Sequence, residues 1–397
     1  MIEVTQSNFF PMNNTIKNYA WGSLDSMQDL FTISNPEKIP QAEMWMGDHP
    51  NGCSKITHHS HEILLSDFIA SAPAAILGRH QHSSNMPYLF KVLAAEKALS
   101  VQVHPNKQQA EMGFLNENKL GILQDAYNRT YHDVNHKPEL VFALTPYKVM
   151  NGFRDLTSIT HDFEALKISS LASALADFKT ALTDSALASF FTILFMLSEA
   201  EKKEAVTVLL NYAQQQDTDR HQLITELAQQ YPGDLGLFSP LFLHTVILQP
   251  GEAMFLRSGT PHAYVYGTAL EIMASSDNVL RAGLTEKHID IQELVANMTF
   301  TPLKYDELRL KPKKANNITH YPVPVADFSF SIYTQQQAHT ITVNSAEILF
   351  AIDAPVSIFH DSGEVLTFNK GESIFIPAYV KEYKITTLGR LARAYTS

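Results

Sequence analysis

The stretch Leu99-Ser100-Val101-Gln102-Val103-His104-Pro105 alternates apolar and polar residues without a break. As a strand it points Leu99, Val101 and Val103 to one face and Ser100, Gln102 and His104 to the other. Polar groups stacked on one strand face are costly to bury without partners. A bound cation is one such partner, because Gln102 and His104 sit two apart on the same face; a solvent-facing strand edge is the competing reading. Two further segments bear on the choice. His136-Lys137-Pro138-Glu139-Leu140 puts a carboxylate at the start of an apolar strand, and Ser258-Gly259-Thr260-Pro261-His262-Ala263 puts a histidine just after a Gly/Pro turn. Singly, Glu139 reads as a surface carboxylate and His262 as a turn residue. Together, two imidazoles, a carboxylate and an amide oxygen form a nitrogen/oxygen set that zinc takes with a position left open, and that iron or manganese also accept. The cluster His58-His59-Ser60-His61 lies in a polar run with no apolar strand to hold it and reads as a solvated loop.

A second group follows the strand-like Ala269-Leu270-Glu271-Ile272-Met273-Ala274. Ser275-Ser276-Asp277-Asn278 reads as a polar turn, and Arg281 and Lys287 come after it. Strand, turn and two cations suit an anionic small molecule, since a chain of net charge -11 needs local cations to attract a phosphate. An ordinary solvated turn is the alternative.

The elements that must position these residues are legible in composition. The chain has 397 residues, 45% of them apolar and 18% charged, which gives sizeable cores and argues against disorder. Thirty Lys and Arg against 41 Asp and Glu disfavour a nucleic-acid partner or an anionic membrane surface. The single cysteine, Cys53, excludes an internal disulfide and any Cys-rich metal site. The first residues lack a signal-peptide pattern, and the apolar run Ala186 to Leu197 is too short to span a bilayer, so a cytoplasmic protein is expected. Short apolar runs broken by Pro, Gly and Asn fill the chain to about Arg154 and predict strands. Between Gly152 and Gly233 there is no glycine and the only proline is Pro232; Phe178, Leu182, Phe190, Leu194 and Leu197 recur at helical spacings, and four or five helices are expected. Strand text returns at Phe238. Gly251-Glu252-Ala253-Met254-Phe255-Leu256 is echoed 120 residues on by Gly371-Glu372-Ser373-Ile374-Phe375-Ile376, which makes a duplicated sandwich or jelly roll plausible. That repeat puts Glu382 where the first copy has His262, so a metal in the first copy is not expected in the second.

The sequence resembles the zinc-dependent mannose-6-phosphate isomerases (phosphomannose isomerases) of the type I, cupin-fold class. The resemblance rests on Lys17-Asn18-Tyr19-Ala20-Trp21-Gly22, Ala42-Glu43-Met44-Trp45-Met46-Gly47, Pro87-Tyr88-Leu89-Phe90-Lys91-Val92-Leu93 and Ala98 to Lys107. It continues through His136 to Glu139, Asn151-Gly152-Phe153-Arg154, Gly259 to Tyr264, Glu271-Ile272-Met273, Ser276-Asp277-Asn278 and Arg281 to Lys287. It runs in order from about residue 15 to 290, while the C-terminal part is similar in pattern only. It implies one zinc ion per chain held by Gln102, His104, Glu139 and His262. It implies catalytic roles for Arg281, Glu271 and Lys137, and a substrate pocket lined by Trp21, Glu43, Lys91, Ser100, Tyr264, Asp277 and Lys287. The implied fold is mainly β: a duplicated cupin (β jelly roll) with an inserted α-helical domain. Residues 1–154 with 238–305 would form the catalytic cupin, 155–237 the helical insertion, and 306–397 a C-terminal cupin-like domain without a metal site.

The implied reaction interconverts mannose 6-phosphate and fructose 6-phosphate through a cis-enediol. A metal polarises the O1/O2 pair as a Lewis acid, and a ligand set with one carboxylate leaves zinc a formal charge of +1 to face the enediolate. Arg281 would stabilise that charge or orient a proton carrier. Glu271 and a zinc-bound water are the candidate general bases; Lys91, Ser100 and Lys287 are the candidate phosphate anchors. A monomer that binds a small sugar phosphate is expected. A regulatory cupin that binds without turnover and a cupin iron dioxygenase are the alternatives, and the charged set Lys91, Lys137, Glu271, Arg281 and Lys287 favours catalysis over simple binding.

Overall fold

The computed structural model describes residues 7–58, 61–79 and 84–396. Two β units and a helical layer make up the fold. In the first unit the strands relevant to the site are β1 (Glu43–Met46), β2 (Tyr88–Ala95), β3 (Gln102–Val103), β4 (Glu139–Ala143), β5 (Tyr147–Phe153), β6 (Leu243–Leu248), β7 (Ala253–Leu256), β8 (His262–Ala274) and β9 (Leu280–Arg281). β8 is the spine: it pairs antiparallel with β2, β3, β4 and β5 along its 13 residues. The pleat then sorts its neighbours. On β2, Tyr88, Phe90, Val92 and Ala94 join the core shared with the second unit, while Leu89 and Leu93 pack on the opposite face, the face of Lys91. A one-residue slip would turn Lys91 into that shared apolar core, so burial on both faces fixes the register.

The C-terminal unit contains β10 (Ser329–Thr342), β11 (Glu347–Ala351), β12 (Val356–Phe359), β13 (Val365–Phe368), β14 (Ser373–Ile376) and β15 (Glu382–Tyr395). Its pairings repeat those of the first unit: β15 with β10, β11 and β12, and β11 with β14. The 120-residue echo is therefore structural, with β7 and β14 as its copies and β8 and β15 as the strands that follow. The two units are packed face to face through Phe330, whose ring lies 6.1 Å from Phe90 and 5.5 Å from Phe142.

Between the strands of the first unit come α1 (Leu156–Leu166), α2 (Ala172–Ala181), α3 (Asp184–Phe195), α4 (Glu199–Ala213) and α5 (Asp219–Gln230). Each start but one is capped by a side-chain oxygen: Asp155, Thr183, Ser198 and Thr218 accept from the backbone of Ser158, Ala186, Glu201 and His221. Ser198 and Glu201 form a reciprocal capping box. The apolar spacing from Phe178 to Leu197 does not mark one helix. α2 ends at Leu182, which takes a left-handed φ of 43° and is 41% exposed, and Thr183 caps a new helix. Phe163, Phe190 and Phe242 close the helical core and Phe153 on β5 joins it to the sheet, its ring 6.3 Å from Phe191. Among the described residues no helix is long and apolar enough to cross a membrane.

His58 and His61 also differ from the sequence reading. His58 ends one strand and His61 begins its antiparallel partner, and the His58 ring packs 5.7 Å from Phe10, so the apolar support lies across the sheet rather than in the local sequence. His59 and Ser60 fall outside the described residues.

Candidate active site

Three strands converge on one buried point. Gln102 is the register partner of His262 on one side and of Arg281 on the other. Glu139 opens β4 directly opposite Leu256, and Met273 lies across from it on β8. His104, Glu139 and His262 are all buried, and their ligand atoms lie within 4.8 Å of one another. His104 Nε2 is 3.3 Å and His262 Nε2 3.4 Å from the two oxygens of Glu139.

The protons of both rings are fixed by their far nitrogens. His104 Nδ1 lies 2.8 Å from the Asn278 carbonyl and His262 Nδ1 2.9 Å from the Thr260 carbonyl. A carbonyl only accepts, so each Nδ1 carries a proton, and Nε2 is the nitrogen that presents a lone pair when the ring is neutral. Burial presses His104 further toward the neutral form, down to about 4, against the pull of Glu139. Burial alone would raise the Glu139 carboxyl, but Lys137 and His104 outweigh it and hold it well below its ordinary value. Two imidazole Nε2 atoms and a carboxylate thus face one another, and among the described residues His104 Nε2 has no hydrogen-bond partner. A cation satisfies all of them at once, so the residues fit a zinc ion. Gln102 is next to them in register; its amide nitrogen lies 3.3 Å from Ser100 Oγ, which leaves the oxygen as the atom it can offer.

Beside this triad is a buried charge network. Lys91 and Glu271 are register partners on β2 and β8, with Nζ 3.0 Å from Oε2, and Glu43 lies 3.8 Å from the same ammonium. Burial alone would discharge Lys91, but Glu271, Glu43 and Glu139 raise its pKa instead. The other Glu271 oxygen is 2.7 Å from the Tyr264 hydroxyl, which is also 3.2 Å from Glu139. Lys137 approaches Glu139 from the other side at 3.2 Å. Glu271 is 2% exposed, its pKa is raised chiefly by burial, and both of its oxygens are engaged. That geometry holds Lys91 and Tyr264 in place.

Asp277 is different. Its side chain is 37% exposed, and two donors from the turn after β1 hold it: His49 Nε2 at 3.3 Å and Asn51 Nδ2 at 3.0 Å. The Asn51 backbone N–H donates to His49 Nδ1, so the ring proton is on Nε2 and points at the carboxylate. Burial opposes ionisation of Asp277, but His49, Lys137 and Lys91 together lower its pKa. Trp21 stacks on Tyr19 with ring centres 5.8 Å apart, and burial together with Glu43 raises the Tyr19 pKa, which places this aromatic pair beside the same charges.

Arg281 and Lys287 line a cavity of about 270 Å³ together with Tyr127, His132 and His288; Asp290 is its one acidic wall and already caps a helix by accepting from Glu293. Among the described residues no carboxylate pairs with either cation: burial lowers the Arg281 pKa, and the nearness of Arg281 lowers that of Lys287. Two adjacent, unneutralised cations form an anion site. Their loop is held by the helical insertion, because Asp234 accepts from the backbone of Leu284 (2.8 Å) and Thr285 (3.2 Å). Gly283 has φ +111°, and a Cβ there would lie 2.4 Å from Gly236 Cα, so only glycine allows this approach.

Most of the residues named from sequence gather here. The sequence reading missed His49, Asn51, Asn278, Asp234, His132 and His288. Asn278 is fully buried, holds His104 through its carbonyl, and ties the 132–135 segment through its side chain, with Oδ1 accepting from His132 N at 2.7 Å. Its place after Ser276-Asp277 was visible; the partners that give it a role are 146 and 174 residues away.

Fold and site together define a metal-binding cupin with an anion pocket beside the metal position. Comparison with known proteins sharpens that class. Residues 9–156 match the catalytic domain of phosphomannose isomerase type I, 164–243 its helical insertion domain, and 317–396 the mannose-6-phosphate isomerase cupin domain. The chain is 44% identical to the mannose-6-phosphate isomerase of Salmonella typhimurium over 386 residues, covering 96% of this chain and 98% of that one. It is 33% identical to the Homo sapiens mannose-6-phosphate isomerase, covering 87% and 88%. The crystal structure of the Salmonella typhimurium enzyme bound to fructose 6-phosphate and zinc superposes with a TM-score of 0.92 at 43% identity, over 98% of this chain and all of that one. The chain belongs to the type I phosphomannose isomerases.

Proposed function

We propose that this chain is a zinc-dependent aldose–ketose isomerase that interconverts mannose 6-phosphate and fructose 6-phosphate through a cis-enediol. The observation that carries the reading is the pair of buried imidazole lone pairs facing Glu139, one register position from the Arg281–Lys287 anion pocket. His104, Glu139 and His262, with Gln102 beside them, would hold the ion, which supplies Lewis-acid polarisation of the O1/O2 pair. The chain's own residues do the rest. Arg281 and Lys287 receive the phosphate, with His132 and His288 on the cavity wall. This moves the anchoring role away from Lys91, which is already engaged with two carboxylates. Lys91 and Lys137 put positive charge where the enediolate oxygens develop theirs. Asp277 has solvent access where Glu43, Glu139 and Glu271 are buried, and His49 and Asn51 orient it to meet a sugar hydroxyl or take a proton. Glu271 acts as a positioning residue. The single cysteine and a phosphorylated substrate suit the cytoplasm.

The test is a coupled assay that detects fructose 6-phosphate formed from mannose 6-phosphate. Turnover, its loss on chelation and its return with zinc are expected. Binding of mannose 6-phosphate without turnover in the zinc-loaded protein would overturn the assignment.

A further inference from the structure

The two β units place a carboxylate at the same position. In the first, Glu139 on β4 pairs with Leu256 on β7; in the second, Glu347 on β11 pairs with Ile376 on β14. Leu256 and Ile376 are matching positions of the 120-residue repeat. The second ligand strand corresponds as well. Gln102 pairs with His262, and Thr342 pairs with Glu382, again 120 residues on. The set Gln102, His104, Glu139 and His262 therefore has the counterparts Thr342, Asn344, Glu347 and Glu382. Only the buried glutamate is retained.

Glu347 is fully buried, as a metal-ligating carboxylate would be. A guanidinium meets it. Arg393 Nη2 lies 2.6 Å and Nε 3.1 Å from Glu347 Oε2, while the Tyr383 hydroxyl bonds the other oxygen. The same Nη2 donates to the Thr342 carbonyl at 3.0 Å, and Nη1 donates to the Tyr333 hydroxyl at 3.2 Å. The guanidinium thus joins the counterpart of Glu139 to the backbone of the counterpart of Gln102, reaching them from β15, where Arg393 stands at the register position that Glu271 has in the first unit. We infer that the C-terminal cupin contains a second cation site, built on the plan of the metal centre, with the Arg393 guanidinium as its permanent occupant.

The chemistry of the site follows. The oxygens around the guanidinium are a carboxylate, the Tyr333 phenol and a backbone carbonyl, with no imidazole, so the site suits a planar organic cation or a hard ion and not zinc. The strand that carries Arg393 also faces the catalytic unit: Ala392 and Ala394 pack in the shared core, and Tyr88 on β2 donates to the Ala394 carbonyl at 2.8 Å. β2 carries Lys91 on its other face. A built-in cation therefore keeps the support behind the active-site sheet independent of metal supply. The inference uses the assignment of Glu139 and Gln102 as ligands only to recognise the correspondence, and the energetics of the Glu347–Arg393 pair are measured separately from turnover.

The experiment uses the full-length, zinc-loaded chain and thermal unfolding. Removing the cation leaves a buried carboxylate without its partner, so R393A is expected to lower the unfolding midpoint by about 5–15 °C. Guanidinium chloride at about 10 mM, far below denaturing concentrations, should recover at least half of that loss in R393A and none in the unaltered chain, with equal sodium chloride as control. The double variant E347Q/R393M, which has neither charge, should unfold within a few degrees of the unaltered chain. An unchanged midpoint in R393A, absence of rescue, or a double variant that loses the sum of the E347Q and R393M losses overturns the inference. If R393A does not fold, the double variant decides: folding near the original midpoint supports the site, and failure to fold refutes it.

Discussion

Glu271→Gln separates two roles that sequence alone leaves open. The substitution keeps shape and removes the charge. The Gln amide can turn either way: its oxygen accepts from Tyr264 with the NH2 facing Lys91, donor against donor, or it accepts from Lys91 while the NH2 donates to the Tyr264 hydroxyl, which can then donate to Glu139. In either orientation the charge opposite Lys91 is gone, which draws the ammonium toward Glu43, now 3.8 Å away, and Glu43 keeps it charged. Breaking a buried pair by removing one partner costs about 3–5 kcal/mol, and with Glu43 remaining the loss belongs at or below about 3 kcal/mol. A displacement of this kind at a charged group near the reacting centre reduces turnover by about 10–100-fold. Loss of the general base itself would cost about 10²–10⁴-fold. The assay follows isomerisation in tritiated water and compares label gained from solvent with hydrogen carried between C1 and C2. If Glu271 only positions Lys91, the ratio of exchange to transfer stays that of the unaltered enzyme while turnover falls by about 10–100-fold. A changed ratio, or a fall beyond about 10³-fold in a chain that unfolds normally, would return Glu271 to the base role and refute the geometric argument.

Two further perturbations act on the turn after β1. Burial pushes Asp48 from 3.8 up to about 6 against its hydrogen bond from Met86 N, so folding favours its protonated form. Stability from this residue is highest below pH about 4, falls as pH rises to about 6 and is flat beyond; the full penalty is about 3 kcal/mol. Asp48→Asn should raise the unfolding midpoint at pH 8 and leave it unchanged at pH 4, and an equal shift at both pH values would contradict the burial argument. His49→Leu removes one of the two donors that hold Asp277, a bond to a charged group that contributes about 1.5–3 kcal/mol. A loss of about 10–100-fold in kcat/KM is expected, with the acid limb of its pH profile moved to higher pH because the lowered Asp277 pKa recovers. A stability loss with an unmoved pH profile would make His49 a packing residue only.

What the sequence shows and hides has a physical basis. The alternation at Leu99–His104 exposes the ligand strand, because a pleat sorts residues by parity and a polar series on one face is visible without partners. The Gly251 and Gly371 turns mark equivalent strands, and the glycine-free block marks the helices. The helix break at Leu182 is hidden because the same apolar spacing continues across it, and only the Thr183 cap restarts the helix. Glu271 and Lys91 read locally as two independent charged residues on strands, and that they are register partners joined by a salt bridge is visible in neither segment. Pairing register is set by contacts across about 180 residues of chain, so nothing local to either segment reports it.

The same rule explains why the proposed phosphate end of the site leans on the helical insertion. Arg281 and Lys287 repel each other and are partly desolvated, an arrangement that an empty loop would relax by moving apart. Asp234, at the exit of the helical insertion, prevents this by accepting from two backbone amides of the loop, and the Gly236–Gly283 contact brings the two segments within backbone reach. The large aromatic core from Phe153 to Phe242 then has a use beyond stability: it makes the anchor of that loop rigid. Two cations held together before substrate arrives have part of their mutual repulsion relieved when an anion enters, so the energy stored in their approach becomes binding energy for the phosphate.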